Sequence, residues 1–146
     1  MVAAALFSSK TDQHATPQHV FDGLNLEFNF VLDAAADDTN YKCSYYFTKR
    51  SNGLVQDWHK FGGAVWLNPP YGREIGKWVK KAYEESQKGV TVVCLLPSRT
   101  DTRWFQEYVI PYGQVRFIKG RLKFGNARHS APFPSAVVIF RPPVTP

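Results

Sequence analysis

Three short, largely apolar runs, Phe28 to Leu32, Ala64 to Leu67 and Val90 to Leu96, each end at a polar or proline-marked turn, and they constrain the fold more than any other feature. They are too short to span a bilayer, and they lack the two-residue alternation of a half-exposed strand. Each therefore reads as a strand buried on both faces, which requires helices on both sides of its sheet. Helical patterns are present in the right places. Thr16-Pro17 offers an N-cap followed by proline at the first helical position, and Val20, Phe21 and Leu24 continue it as a short helix over 17–24. Between the second and third runs, Ile75, Trp78, Val79, Ala82 and Tyr83 recur at helical spacing, with Gly89 as the stop. Thr100 or Asp101 can cap a further helix through Val109, whose aromatic face is Trp104, Phe105 and Tyr108.

Tyr45-Tyr46-Phe47 is a short strand candidate between turn clusters, and β-type segments close the chain at Gln114 to Ile118, Arg121 to Phe124 and Ala136 to Arg141. Strands alternating with helices, followed by strands alone, predict an α/β fold whose sheet is mainly parallel with antiparallel C-terminal strands. The spacing from Asp33 to Asn68 is short for two complete strand-helix units, so the second and third strand region is expected to be abbreviated. In such sheets ligands bind at the carboxyl ends of strands where the strand order reverses. Two strand ends carry unusual residues: Asp33-Ala34-Ala35-Ala36 and Asn68-Pro69-Pro70-Tyr71.

A length of 146 residues fits one core, so a single domain is expected, with residues 1–12 as a loose N-terminus and no separate target-recognition domain. With 44% hydrophobic and 21% charged residues, the chain is neither disordered nor fibrous. No apolar run approaches the roughly 20 residues of a membrane span. The start lacks the basic flank of a secretory leader, and the chain reads as cytoplasmic. Cys43 and Cys94, like His14, His19, His59 and His129, are scattered without ligand spacing, so no metal site or disulfide is expected. The net charge is +6, and it is uneven: residues 1–72 hold five basic and seven acidic residues, whereas residues 73–146 hold 13 and five. That asymmetry fits a polyanion partner, and equally a solvated basic face.

Asn68-Pro69-Pro70-Tyr71 has a mechanical logic. Two prolines fix φ, remove two backbone donors and end the strand, which leaves acceptors facing away from the ladder. The Asn68 side-chain oxygen and the Pro69 carbonyl can both accept from one NH2 group, while Tyr71 offers a flat face to a ring. Two accepted hydrogen bonds would draw an aromatic amine toward tetrahedral geometry and free its lone pair for attack. Pro-Pro also punctuates chains as a purely structural turn.

The tetrapeptide, placed after the strand Ala64-Val65-Trp66-Leu67, resembles the signature of adenine-N6 DNA methyltransferases, and the chain resembles the small phage-type members of that family. The resemblance extends through Ala15-Thr16-Pro17, Val31-Leu32-Asp33-Ala34-Ala35-Ala36, Gly53-Leu54, Asp57-Trp58, the segment from Pro97 to Phe105, Gly120-Arg121-Leu122-Lys123-Phe124 and Ala131 to Ser135. It implies a Rossmann-like class I methyltransferase fold, S-adenosylmethionine as methyl donor, DNA as partner, and a phage setting in which protection from restriction is a plausible purpose.

By that resemblance Asp33 holds the cofactor's ammonium group, Ala34, Ala35 and Ala36 let the backbone approach its methionine part, and Thr16 and Pro17 close over the same end. One departure is that Ala34-Ala35-Ala36 replaces the usual glycine-rich turn. The acid that holds the ribose hydroxyls is open among Asp37, Asp38 and Asp57; Trp58 is a candidate for the adenosine pocket or for the core. Catalysis falls to Asn68, Pro69, Pro70 and Tyr71.

A duplex adenine must be extruded before it can react. Phosphate contacts would come from Arg73, Arg99, Arg103, Lys119, Arg121, Lys123 and Arg128, and any sequence readout from a loop at Phe124 to Pro134. The rival readings are a methyltransferase acting on RNA adenine or a protein glutamine, and a noncatalytic nucleic-acid-binding module. The target sequence and the oligomeric state are not encoded in any readable pattern.

Overall fold

The computed structural model describes residues 14–144, so the loose N-terminus expected over residues 1–12 lies outside the described residues. Its strands are β1 (Phe30–Asp33), β2 (Tyr45–Tyr46), β3 (Ala64–Leu67), β4 (Val92–Pro97), β5 (Gln114–Phe117) and β6 (Ser135–Phe140). They form one sheet in the order β2-β1-β3-β4-β6-β5. The pairs β1–β2, β1–β3 and β3–β4 are parallel, whereas β4–β6 and β5–β6 are antiparallel. This is the expected α/β arrangement of a Rossmann-like methyltransferase. β4 and β6 are buried along their whole length, as continuous apolar runs require.

The first helix, α1 (Gln18–Phe28), runs one turn beyond its predicted end. Phe28 therefore closes the helix instead of opening the strand. Asn29 takes up the left-handed conformation with φ 55°, and the Asn25 side chain accepts from the Phe30 N–H at 2.8 Å, so β1 begins at a well-capped corner. Phe21 packs against the rings of Phe30 and Trp66, both at 5.5 Å. The second helix, α2 (Ile75–Gln87), matches its predicted face: Ile75, Trp78, Val79 and Ala82 are all buried.

Two expected elements differ. The helix expected from Thr100 starts later, at 103, and Phe105–Val109 is wound as a π-helix that leads into a single α turn, α3 (Ile110–Tyr112). Thr100 and Asp101 do not cap it; the Thr100 carbonyl instead accepts from the Gln106 side chain. The strand expected at Arg121 to Phe124 does not form. Leu122 and Phe124 are buried and Arg121 and Lys123 exposed, as alternation predicts, but the backbone bonds to Ala15 and Ala131 rather than to a strand. Alternation reports which side is buried, and an extended segment packed against a core satisfies it without a ladder.

Strand order fixes the site. β1 lies between β2 and β3, so the chain passes to one side of β1 and then crosses to the other, and the reversal falls between β1 and β3. Asp33 pairs with Trp66 in register, which sets the ends of the two strands side by side.

Candidate active site

A cleft of about 490 Å³ opens at those strand ends, within the usual range for a cofactor site. Its wall includes Thr16, Asp33, Ala35, Ala36, Asp37, Asn68, Pro69 and Pro70, eight of the residues singled out from the sequence. Three others are not part of the wall. Pro17 serves as the start of α1, its carbonyl accepting from Val20 and Phe21, and Ala34 is used up in the sheet edge, donating to the Trp66 carbonyl at 3.0 Å. Tyr71 is the third, and its position is described below.

Asp33 is 3% exposed. Burial pushes its pKa up to about 6, although the backbone N–H groups of Lys42 (3.0 Å) and Ala35 (3.4 Å) both donate to the carboxylate and oppose the rise. A buried carboxylate with no cationic side chain bonded to it favours a cationic ligand. Among the ribose candidates, only Asp37 reaches the cleft. Burial raises its pKa, but the Thr39 hydroxyl and the N–H groups of Thr39 and Asn40 donate to it and bring it below its ordinary value. Asp57 pairs with Lys60 at 2.9 Å, and the Tyr46 hydroxyl donates to Asp38. Just past the end of β2, the wall is formed by Thr48 and Lys49, neither of which carries a carboxylate.

Trp58 is a core residue. It is fully buried, stacks near Trp78 and donates from Nε1 to the Gly53 carbonyl at 2.8 Å. Trp78, read from the sequence only as part of a helix face, lines the cleft. Gly53 lies between Trp78 and β1: a Cβ there would collide with the Ala34 carbonyl and meet the Trp78 ring at 3.1 Å. Gly53 belongs to the segment Gly53-Leu54 that carries the resemblance but had no role assigned, and no local signal in the sequence marks Trp78 as part of the site.

Asn68 is the most informative residue of the rim. Its Nδ2 donates to the Thr16 hydroxyl at 2.9 Å and to the His14 carbonyl. Its Oδ1 is buried and has no hydrogen-bond partner among the described residues. An acceptor left empty at the edge of a cleft is what an amine substrate needs.

Tyr71 donates its hydroxyl to the Leu95 carbonyl at 2.9 Å and is only 4% exposed. His14 stacks on its ring at 4.7 Å and 19°, with Phe124 and Phe133 edge-on at 5.9 and 5.7 Å. The flat face expected to receive a base is therefore covered by a planar side chain. Sequence reading gave His14 no role, since a lone histidine carries no spacing signal.

Arg73, Arg99, Arg103, Lys119, Arg121, Lys123 and Arg128 are all exposed. The Arg99 guanidinium lies 5.9 Å from the Phe133 ring, beside the Tyr71 cluster, while Arg103 is paired with Glu107 at 3.1 Å. Arg121 and Lys123 flank the buried Leu122 and Phe124. The cysteines are buried, and burial raises the pKa of both thiols, Cys43 to about 12. Among the described residues Asp57, His59 and Glu85 bring potential metal ligands together, yet Glu85 already accepts from His59, Lys81 and Lys88, and two ammonium groups oppose a cation there.

A mixed sheet with its cleft at the point of reversal, walled in part by Asn68, Pro69 and Pro70, has the architecture of a Rossmann-like methyltransferase. The family model described as DNA N-6-adenine-methyltransferase (Dam) matches residues 4–144. A DNA N-6-adenine-methyltransferase of Haemophilus phage HP1 (strain HP1c1) is 30% identical over 142 residues, covering 92% of this chain and 81% of the relative. Another, from Escherichia phage T1, is 37% identical over 97 residues, covering 66% of this chain but only 40% of the relative's length. The chain belongs to the DNA N-6-adenine-methyltransferase (Dam) family.

Proposed function

We propose that the chain transfers the methyl group of S-adenosylmethionine to the N6 amine of an adenine extruded from DNA. The observation that carries this reading is the buried, unpartnered Oδ1 of Asn68 on the rim of the cleft. Bound in the cleft, S-adenosylmethionine would supply an electrophilic methyl group on a sulfonium sulfur. Asp33 would hold its ammonium group, and Ala35 and Ala36, too small to intrude, would let the methionine part lie against the backbone. Asp37, with Thr48 and Lys49, would meet the ribose hydroxyls, and Leu54 and Trp78 give that end of the cleft apolar walls.

Asn68 Oδ1 and the Pro69 carbonyl would accept hydrogen bonds from the two N6–H groups. This weakens delocalisation of the nitrogen lone pair into the purine and directs it along the line of transfer, so no strong base is needed before attack. As the N–C bond forms, the S–C bond would break to leave S-adenosylhomocysteine, and the methylated, cationic nitrogen would give up one proton to solvent. Most of the acceleration comes from holding nitrogen and methyl carbon in line. The adenine stacks on Tyr71 by taking the place of the His14 ring, which side-chain rotation can move without moving the His14 carbonyl. Phe124 and Phe133 close the edges of the base pocket, and the Phe124 to Pro134 loop is placed for whatever sequence readout exists. Arg99, Arg121 and Lys123 contribute phosphate contacts from the same region.

Radiolabelled methyl transfer from S-adenosylmethionine into DNA, RNA and glutamine-containing protein tests the reading. Label is expected in DNA, and Asn68→Ala should lower the rate by at least about a hundredfold, in line with loss of a transition-state hydrogen bond. Preferential labelling of RNA or protein, or an active Asn68→Ala variant, would overturn it.

A further inference from the structure

Thr16 reads from the sequence as the N-cap of α1, but the helix uses no side-chain cap, and Pro17 stands at the N-cap position. The Thr16 hydroxyl is instead turned to Asn68, accepting from Nδ2 at 2.9 Å. Thr16 is 6% exposed, so little water competes for that bond. A residue type suited to capping a helix has been taken away from the helix and given to the Asn-Pro-Pro-Tyr turn.

The consequence lies in the asymmetry of an amide. One end of Asn68 only donates and the other only accepts. Nδ2 faces two oxygens, the Thr16 hydroxyl and the His14 carbonyl. A flipped amide would set Oδ1 against the His14 carbonyl, two acceptors face to face, and would turn NH2 toward the substrate amine, which needs an acceptor. The observed orientation leaves Oδ1 buried and without a hydrogen-bond partner among the described residues.

The two holding groups do different things: the His14 carbonyl, which only accepts, sets which end of the amide it faces, and the Thr16 hydroxyl fixes where the amide sits. Thr16 is fixed on both sides: the Ala15 carbonyl accepts from Gly125 N–H at 2.9 Å, and the Pro17 carbonyl accepts the first helical N–H groups.

We propose that Thr16 is a positioning residue for methyl transfer: its hydroxyl anchors the Asn68 amide in place, while the His14 carbonyl, which can only accept, sets its orientation, so that Oδ1 faces the N6 amine. The proposal rests on the function proposed above. It differs from the role the family resemblance implies for Thr16, contact with the cofactor.

Thr16→Val and Thr16→Ala remove the acceptor, the first keeping the β-branched shape of threonine and the second dropping it; Thr16→Ser keeps the hydroxyl. Steady-state methylation of DNA should show kcat reduced about 10- to 100-fold in the first two, the range for one orienting hydrogen bond, and within about threefold of wild type in Thr16→Ser. S-Adenosylmethionine affinity by calorimetry and the melting temperature should stay near wild type in all three. Wild-type kcat in Thr16→Val and Thr16→Ala would overturn the proposal, as would a loss that follows cofactor affinity or one equally deep in Thr16→Ser. A wild-type enzyme that methylates no adenine would overturn the parent reading instead, which separates the two failures.

Discussion

Asp33 carries its negative charge at a disadvantage, because it is buried with only two backbone N–H groups bonded to it. With its pKa raised to about 6 in the folded chain, Asp33 costs the fold stability as pH rises from the ordinary 3.8 through about 6, the full cost being present above that, and a bound ammonium group relieves it. The cationic ligand selects the ionised form. S-Adenosylmethionine affinity should therefore be flat above pH 6 and fall about tenfold per unit below it, and calorimetry between pH 5 and 8 should lose this dependence in Asp33→Asn. Tyr71 shows a second consequence of burial. Tyr71→Ala should destabilise the fold by about 3–5 kcal/mol in urea titration, the usual range for removing a core aromatic. Tyr71→Phe keeps the ring and loses only the bond to the Leu95 carbonyl, at about 1 kcal/mol, and should still methylate DNA. A loss of activity in Tyr71→Ala alone therefore says little about base stacking, whereas an inactive but folded Tyr71→Phe would contradict its role as a stacking surface.

At the scale of elements, α2 is tied to the loop before β3 by Glu85. This fully buried carboxylate accepts from the His59 backbone and ring and from Lys81 and Lys88. Burial alone would raise its pKa, but these donors outweigh it and hold the group down to about 2. The stabilisation is present above the unfolded carboxylate range and is lost as pH falls through about 2. Glu85→Ala should cost about 3–5 kcal/mol in urea denaturation at pH 7, as breaking a buried charged network does. The sequence showed α2, β3 and β4 clearly because each has one unambiguous period or an unbroken apolar run. It misassigned Arg121 to Phe124 because alternation encodes burial and not pairing. The Asn-Pro-Pro-Tyr turn was legible for the same reason as the strand before it, since two prolines leave few alternatives. His14 and Gly53 were not legible: one acts through a contact to a residue 57 positions away, the other by leaving space for a backbone carbonyl on a different element.

For the whole molecule, the seven candidate phosphate-binding cations lie in the basic second half, while Asp33 and Asp37 lie in the acidic first half. Log affinity for duplex DNA should fall linearly with log salt concentration, and each of Arg121→Ala and Lys123→Ala should flatten the slope by about 1 if its side chain contacts a phosphate. Fluorescence anisotropy across a salt series measures it. The central claim, that the buried acceptor of Asn68 serves an adenine amine, is tested most directly by mass spectrometry of nucleosides from DNA incubated with the protein and S-adenosylmethionine. N6-methyladenine should accumulate with wild type and form at least about a hundredfold more slowly with Asn68→Ala; DNA of varied sequence in which no N6-methyladenine forms, or methyl groups found on another base, would contradict it.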